Sequence, residues 1–265
     1  MTRMIPTPSP WNEIRAQAEH ASTREPALSA ILQHALLAHE SFGTALAHRV
    51  AQGLASGTQQ EAALAERFAL LHREEPALAE AAWQDLQATV SRDPAFESML
   101  EVFLFSKGFL ALQAYRLAHR LHLDGNRLLS MFIQSRSNER LAIDINPASR
   151  IGRGIMFDHG SGIVIGETAV VGDNVSILQG VTLGGTGKEC GDRHPKVRCG
   201  VMIGAGAKIL GNIEIGEGAK VGAGSVVLAD VAAHTTVVGN PARRVGTPRH
   251  EQPALDMDQS FDQDS

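Results

Sequence analysis

From Ile145 to Ala233 an apolar residue returns at every sixth position, and few folds accept that spacing. The guides run Ile145, Ile151 and Phe157, then, after a slip of two residues, Ile165, Val171, Ile177 and Leu183. They resume at Val197 and continue through Ile203, Ile209, Ile215, Val221, Val227 and Ala233. A helix would need a period near 3.6 and a strand a period of 2. A period of six implies a solenoid, in which each hexad gives one short strand and one corner and three hexads close a triangular coil. Guide side chains then point inward and stack into an apolar column. A second inward position, four after each guide, holds Val175, Val181, Ala207, Ala219 and Ser225. Gly166, Gly172, Gly204, Gly216 and Gly222 follow guides directly, where a corner could need unusual backbone angles.

Before about residue 140 the grammar is different. Ala, Leu, His, Glu and Arg dominate, and "ALSAILQHALLAHESFGTALAHRVA", "EAALAERFALLH" and "PALAEAAWQDLQATV" carry apolar residues at helical spacing. "FESMLEVFLFSKGFLALQAYRLAHRLHLDG" reads as two more helices, broken near Gly108 and stopped at Gly125. Asp93 followed by Pro94 reads as an N-cap with proline at the first helical position. The expected architecture is α+β. A bundle of about six to eight helices occupies residues 1–140, a β-solenoid residues 141–246, and an acidic, disordered tail residues 247–265.

Composition limits the partners. Aromatics are only 5% of the 265 residues, so the core must be aliphatic. The formal net charge of −5 offers no basic face for nucleic acid. No apolar run has the length of a membrane span, and the opening "MTRMIPTPSPWNEIR" does not read as a signal peptide. With two cysteines, Cys190 and Cys199, a cytoplasmic protein with reduced thiols is expected.

Guides build a core, so chemistry must come from residues that break the pattern. Three places do so: Asp158-His159, Asp144 in "AIDINP", and the inserted loop "ECGDRHPK" at 189–196, which carries Asp192, Arg193 and His194. Asp144 lies a little less than one coil before His159, a spacing that permits the two side chains to meet. A carboxylate on one imidazole nitrogen leaves the other free as a general base for a hydroxyl nucleophile. Arg193 is suited to grip a small carboxylate through paired hydrogen bonds. His159, His194 and His234 show no close pair, and Cys190, His194 and Cys199 contain no CxxC, so no metal site is expected there.

The stretch from "DINPASRIGRGIMFDHGSG" through "GGTGKECGDRHPKVRCG" to "VGAGSVVL" closely resembles bacterial serine O-acetyltransferases, as do "SRDPA" and "KGFLALQAYRLAH" in the helical half. The hexads alone would indicate only a hexapeptide acyltransferase; "GDRHPK" and the helical half are more specific. The resemblance implies a left-handed parallel β-helix and acetyl transfer from acetyl-CoA to the L-serine hydroxyl, with no tightly bound cofactor. It implies His159 as base and Asp144 as its partner, Asp93 and Asp158 on the serine ammonium, and Arg193 and His194 on the serine carboxylate. CoA would lie in a groove between subunits, with Gly185, Thr186, Ala205 and Ala223 lining it and Lys220 or Arg243 near phosphate. Backbone N–H groups near Gly184-Gly185 would face the thioester oxygen. The resemblance also implies a hexamer built from two trimers and inhibition by L-cysteine. Tails in the family that dock into O-acetylserine sulfhydrylase end in Ile, whereas this sequence ends in Ser265, which argues against that complex. A sugar acceptor and a non-catalytic scaffold are the rival readings, and the Arg193 clamp speaks against the first.

Overall fold

The computed structural model describes residues 10–187 and 190–260. Its first half is helical: α1 (Pro10–Arg24), α2 (Ser29–Leu32), α3 (Phe42–Leu54), α4 (Thr58–Glu74), α5 (Ala77–Arg92), α6 (Met99–Phe105), α7 (Lys107–Leu123) and α8 (Arg127–Leu141). A 3-10 turn, Pro26–Leu28, precedes α2 and a π-helical turn, Gln33–Leu37, follows it. Ser41 caps α3 with a reciprocal capping box, and Ser98 and Ser106 cap α6 and α7 by accepting from Glu101 N and Phe109 N.

Fifteen short strands follow among the described residues. They are β1 (Asp144–Ile145), β2 (Arg150–Ile151), β3 (Met156–Asp158), β4 (Val164–Ile165), β5 (Val170–Val171), β6 (Ser176–Leu178), β7 (Thr182–Gly184) and β8 (Lys196–Val197), then β9 (Met202–Ile203), β10 (Lys208–Leu210), β11 (Glu214–Ile215), β12 (Lys220–Val221), β13 (Val226–Val227), β14 (Thr236–Gly239) and β15 (Ala242–Gly246). They form three faces, which we call A (β1-β4-β7-β10-β13), B (β2-β5-β8-β11) and C (β3-β6-β9-β12-β14-β15). Pairing is parallel except for the β14–β15 hairpin. Guides stack in register, as in Ile145, Ile165, Leu183, Ile209 and Val227 on face A. Those guides and the expected second inward positions are buried.

One guide differs from expectation. The last coil is short: Val231 bridges to Ile215 and is buried, while Ala233 is exposed.

α7 joins the two halves. Ala111, Leu112 and Tyr115 pack into the solenoid column, while Phe109, Leu110, Ala114, Leu117, Ala118 and Leu121 pack into the bundle. A helix buried on both sides must be apolar nearly all round. Gly108 sits inside α7 and does not break it: a Cβ there would lie 2.2 Å from the Phe157 carbonyl oxygen, so glycine is needed for close approach to β3. The break falls at Ser106. Asp85 of α5 adds a polar clamp. It is fully buried, accepts from Arg116 Nε at 2.8 Å and Gln113 Nε2 at 3.1 Å, and takes the Ile155 N–H at 3.0 Å.

Of the described tail, Pro253 and Ala254 are buried and most other residues are exposed; residues 261–265 lie outside the described residues. Pro253–Asp256 forms a short helix, α9, with Ala254 fully buried against Leu178 and Met202 of face C. The Ala254 carbonyl accepts from Ser176 Oγ at 2.8 Å, and Ser176 accepts from Arg92 at 3.1 Å. Within the tail expected to be disordered, Pro253 and Ala254 interrupt the acidic character and supply an apolar foot. Among the described residues, no helix is long and apolar enough to cross a membrane.

Candidate active site

Both interruptions of the six-residue beat fall at the ends of face A. The two-residue slip lies between β3 and β4, on the edge joining faces C and A, and it carries His159. The inserted loop lies between β7 and β8, on the edge joining A and B, and it carries Arg193 and His194. Lys196, at the end of the expected insertion, belongs to β8.

At the C/A edge, the slip forces a tight turn in which Gly160 N donates to Asp158 O at 2.5 Å. His159 occupies the left-handed region, φ 55°, which a side chain with a Cβ adopts at a cost of about 1–2 kcal/mol. Its ring is 75% exposed. The Asp158 carboxylate is the nearest acid, 3.7 Å from His159 Nε2. Burial pushes the Asp158 carboxyl up, the His159 charge pulls it down, and the charge of Asp93 pushes it up again. Asp93 therefore shares this edge, delivered by the end of α5. It is not an N-cap as expected: it closes α5 and folds an Asx turn, accepting from Ala95 N at 2.9 Å. Lys107, which sequence reasoning missed, reaches the same corner and donates to Ser161 Oγ.

The expected Asp144–His159 pair is not formed within the chain. Asp144 Oδ1 accepts instead from Gln134 Nε2 of α8 at 2.7 Å, because β1 is fed directly by that helix. No ion pair or hydrogen bond joins Asp144 to His159 among the described residues.

At the A/B edge, one hydroxyl organises the loop. Thr168 Oγ1 accepts from Arg193 N at 3.0 Å and His194 N at 3.1 Å, and lies 2.8 Å from His194 Nδ1. His194 Nδ1 also accepts from Thr168 N at 3.2 Å. Nδ1 therefore carries no proton, and the hydrogen-bond network assigns the Nε2–H tautomer. Burial, then the Arg193 charge, holds the imidazole below its ordinary value, so the ring is a neutral donor at neutral pH. The Cδ2–Nε2 edge of the ring lies against Gly166, whose added Cβ would sit 2.0 Å from it. Arg193 is steadied by Glu167 at 2.6 Å and by the Gly191 carbonyl at 3.1 Å. Thr168 and Glu167 left no mark in the hexad pattern, since an outward corner position accepts almost any polar residue.

The expected CoA-lining residues divide between the edges. Gly185 adjoins the Arg193 side chain, and Thr186 lies near Gly211 of the next coil. Ala205 and Ala223 stack on successive C/A corners, the edge that carries His159. Two more residues were expected near the CoA phosphate. Lys220 is only 5% exposed, with Nζ donating to the Ser260 carbonyl at 2.6 Å beneath the tail. Arg243 lies on the β15 hairpin that closes the solenoid, with Nη1 on the Ala242 carbonyl. Face C, where Lys220 points, is covered by the tail, so that lysine is no part of either edge.

Comparison with known proteins identifies this arrangement. Residues 11–114 match the family model "Serine acetyltransferase, N-terminal", and residues 194–229 match "Bacterial transferase hexapeptide (six repeats)". The serine acetyltransferase of Salmonella typhimurium is 52% identical over 251 residues, 95% of this chain and 92% of the relative. The crystal structure of serine acetyltransferase from Vibrio cholerae has a TM-score of 0.93 at 52% identity, covering 95% of this chain and 97% of the other. Solved relatives also include a complex with cysteine (TM-score 0.92, 47% identity, 95% and 98% covered) and, from Brucella abortus, one with coenzyme A (0.87, 47%, 89% and 95%). A further one, from Neisseria gonorrhoeae, holds serine (0.87, 46%, 91% and 100%). With matches that span its helical half and its solenoid, the chain belongs to the serine acetyltransferase family of acyltransferases.

Proposed function

We propose that the chain acetylates L-serine by direct transfer from acetyl-CoA, at a site assembled from the C/A edge of one copy and the A/B edge of a second. The observation that carries this reading is the separation of the two edges. They stand apart by the width of a coil face, on the order of 15–20 Å. The ammonium and carboxylate of serine share one carbon, so no single chain reaches both. Packing two copies along face A brings the edges together, and the partly exposed Val164 and Leu228 on that face favour such contact. Three copies close the arrangement as a ring, the trimer from which the expected hexamer is built.

In this site Asp158 and Asp93 hold the serine ammonium, while Arg193 and the His194 Nε2–H hold its carboxylate. His159 removes the hydroxyl proton as the serine oxygen attacks the thioester carbonyl carbon. The tetrahedral intermediate then collapses: the C–S bond breaks, and the imidazolium returns its proton to the departing thiolate. CoA lies beside Ala205 and Ala223 of one copy and Gly185 and Thr186 of the next. L-cysteine offers the same ammonium and carboxylate and competes for the same groups.

The test is thiol release from acetyl-CoA with L-serine beside a panel of sugars, with and without L-cysteine. Release with serine alone, suppressed competitively by cysteine, is expected; release with a sugar and not with serine would overturn the reading. Asp144→Asn then separates the carboxylates. A fall in kcat matching that of a His159 variant restores Asp144 as partner of the ring, and an unchanged kcat leaves Asp158 as the carboxylate acting on it.

A further inference from the structure

The helical half holds a second convergence of titratable side chains, on elements other than those that build the solenoid edges. After α2 the backbone widens into the π-helical turn Gln33–Leu37, a feature often found at functional sites. This turn carries His34, which meets His48 of α3 and Glu61 from the first turn of α4. His34 Nε2 lies 3.2 Å from Glu61 Oε1, and His48 Nε2 lies 3.8 Å from the same oxygen. One ligand atom from each residue falls within 4.8 Å of the other two. The two rings stand edge to face with centroids 4.3 Å apart, and the His39 ring packs on His48 at 5.0 Å. His39 is itself tied back, with Nε2 3.0 Å from the His34 carbonyl oxygen. Among the described residues, this is the one group of three or more such side chains whose ligand atoms converge.

A histidine–glutamate hydrogen bond needs only one imidazole. Here two rings turn the same nitrogen toward one carboxylate oxygen. With both rings in the Nδ1–H tautomer, two Nε2 lone pairs and an anionic oxygen converge on one point, the donor set that a cation takes. In a tetrahedral site with bonds of about 2.0–2.1 Å, neighbouring ligand atoms lie about 3.3 Å apart. The two distances to Glu61 bracket that edge. Two imidazoles and a carboxylate suit Zn2+ and its first-row neighbours, whereas Mg2+ and Ca2+ prefer all-oxygen shells. The His34 side chain is 54% exposed, which gives an ion a path in and leaves room for water as a fourth ligand.

We propose that His34, His48 and Glu61 form a divalent transition-metal site, best matched to Zn2+, that fastens the π-turn to α3 and α4. The ion is a structural staple there and takes no part in acetyl transfer. Because the three ligands come from three separate elements, binding selects the folded state and raises its melting temperature.

The test uses full-length protein without a histidine tag, treated with chelator and then titrated. One equivalent of Zn2+ per chain should bind with Kd of about 10 µM or tighter, and a hundredfold excess over Kd should raise Tm by about 5 °C. Co2+ in the same protein should show the visible bands of a tetrahedral site. His34→Gln and Glu61→Gln should each abolish the tight equivalent and the Tm rise. Both should keep normal turnover, and His34→Gln, whose side chain is more than half exposed, a normal metal-free Tm. The double variant Cys190→Ser/Cys199→Ser should bind like the parent. Absence of a tight equivalent in the parent, retention of it in His34→Gln and Glu61→Gln, or its loss in the cysteine variant would overturn the proposal.

Discussion

At the C/A edge, the roles proposed for two residues work against local stability. His159 sits in a left-handed backbone conformation that asparagine tolerates better than histidine. His159→Asn is expected to lower kcat by about 10²–10⁴-fold while leaving Tm unchanged or higher, measured by thiol release and thermal unfolding. Asp158 is held partly buried, with a carboxyl raised above its ordinary value by burial and by Asp93. An acid whose pKa is higher folded than unfolded favours the fold below its unfolded value and loses that contribution as pH rises through the folded one. The window opens at about pH 4 and extends upward. Asp158→Asn should therefore keep or raise Tm at neutral pH, flatten its decline just above pH 4, and raise KM for serine about 10- to 100-fold. At the opposite edge, Thr168→Val removes the acceptor for two backbone N–H groups and the donor to His194 Nδ1. KM for serine should rise about tenfold with KM for acetyl-CoA unchanged.

At the scale of elements, the decisive contacts are close approaches that sequence patterns do not advertise. Gly108 brings α7 onto β3 and so helps fix the turn that follows β3, which holds Asp158 and His159. Gly166 leaves room for the His194 ring, and alanine there would displace it without altering any charge. The Asp85–Arg116 pair locks α5 and α7 to the first coil, with Arg116 Nη2 also donating to the Gly152 carbonyl at 2.7 Å. Asp85→Ala leaves a buried guanidinium short of its counter-ion and is expected to destabilise the fold by about 3–5 kcal/mol in urea unfolding. Since Asp93 ends the same helix, serine binding should weaken in that variant as well.

For the whole molecule, the separation of the edges makes a prediction that no single chain can satisfy. A chain carrying His159→Asn and a chain carrying Arg193→Ala are each expected to be inactive alone. Co-assembled in equal amounts, one copy supplies an intact His159 edge and another an intact loop. Roughly a quarter of the parental activity should return if copies mix at random. Return of none would place both edges in one chain's site.

The sequence by itself determined the solenoid, its guides and the two interruptions, because a packed column of identical coils demands a strict period and any departure from it is visible. It also pointed to Asp158, His159, Arg193 and His194, since polar residues at those interruptions serve no core. Only the tertiary structure decided what those residues touch. Asp144 meets Gln134 because α8 runs straight into β1, and Lys220 is covered because a short apolar foot in the acidic tail finds face C. Thr168, Lys107 and the His34–His48–Glu61 cluster were invisible because their partners lie on separate elements, and a one-dimensional period carries no record of which elements meet.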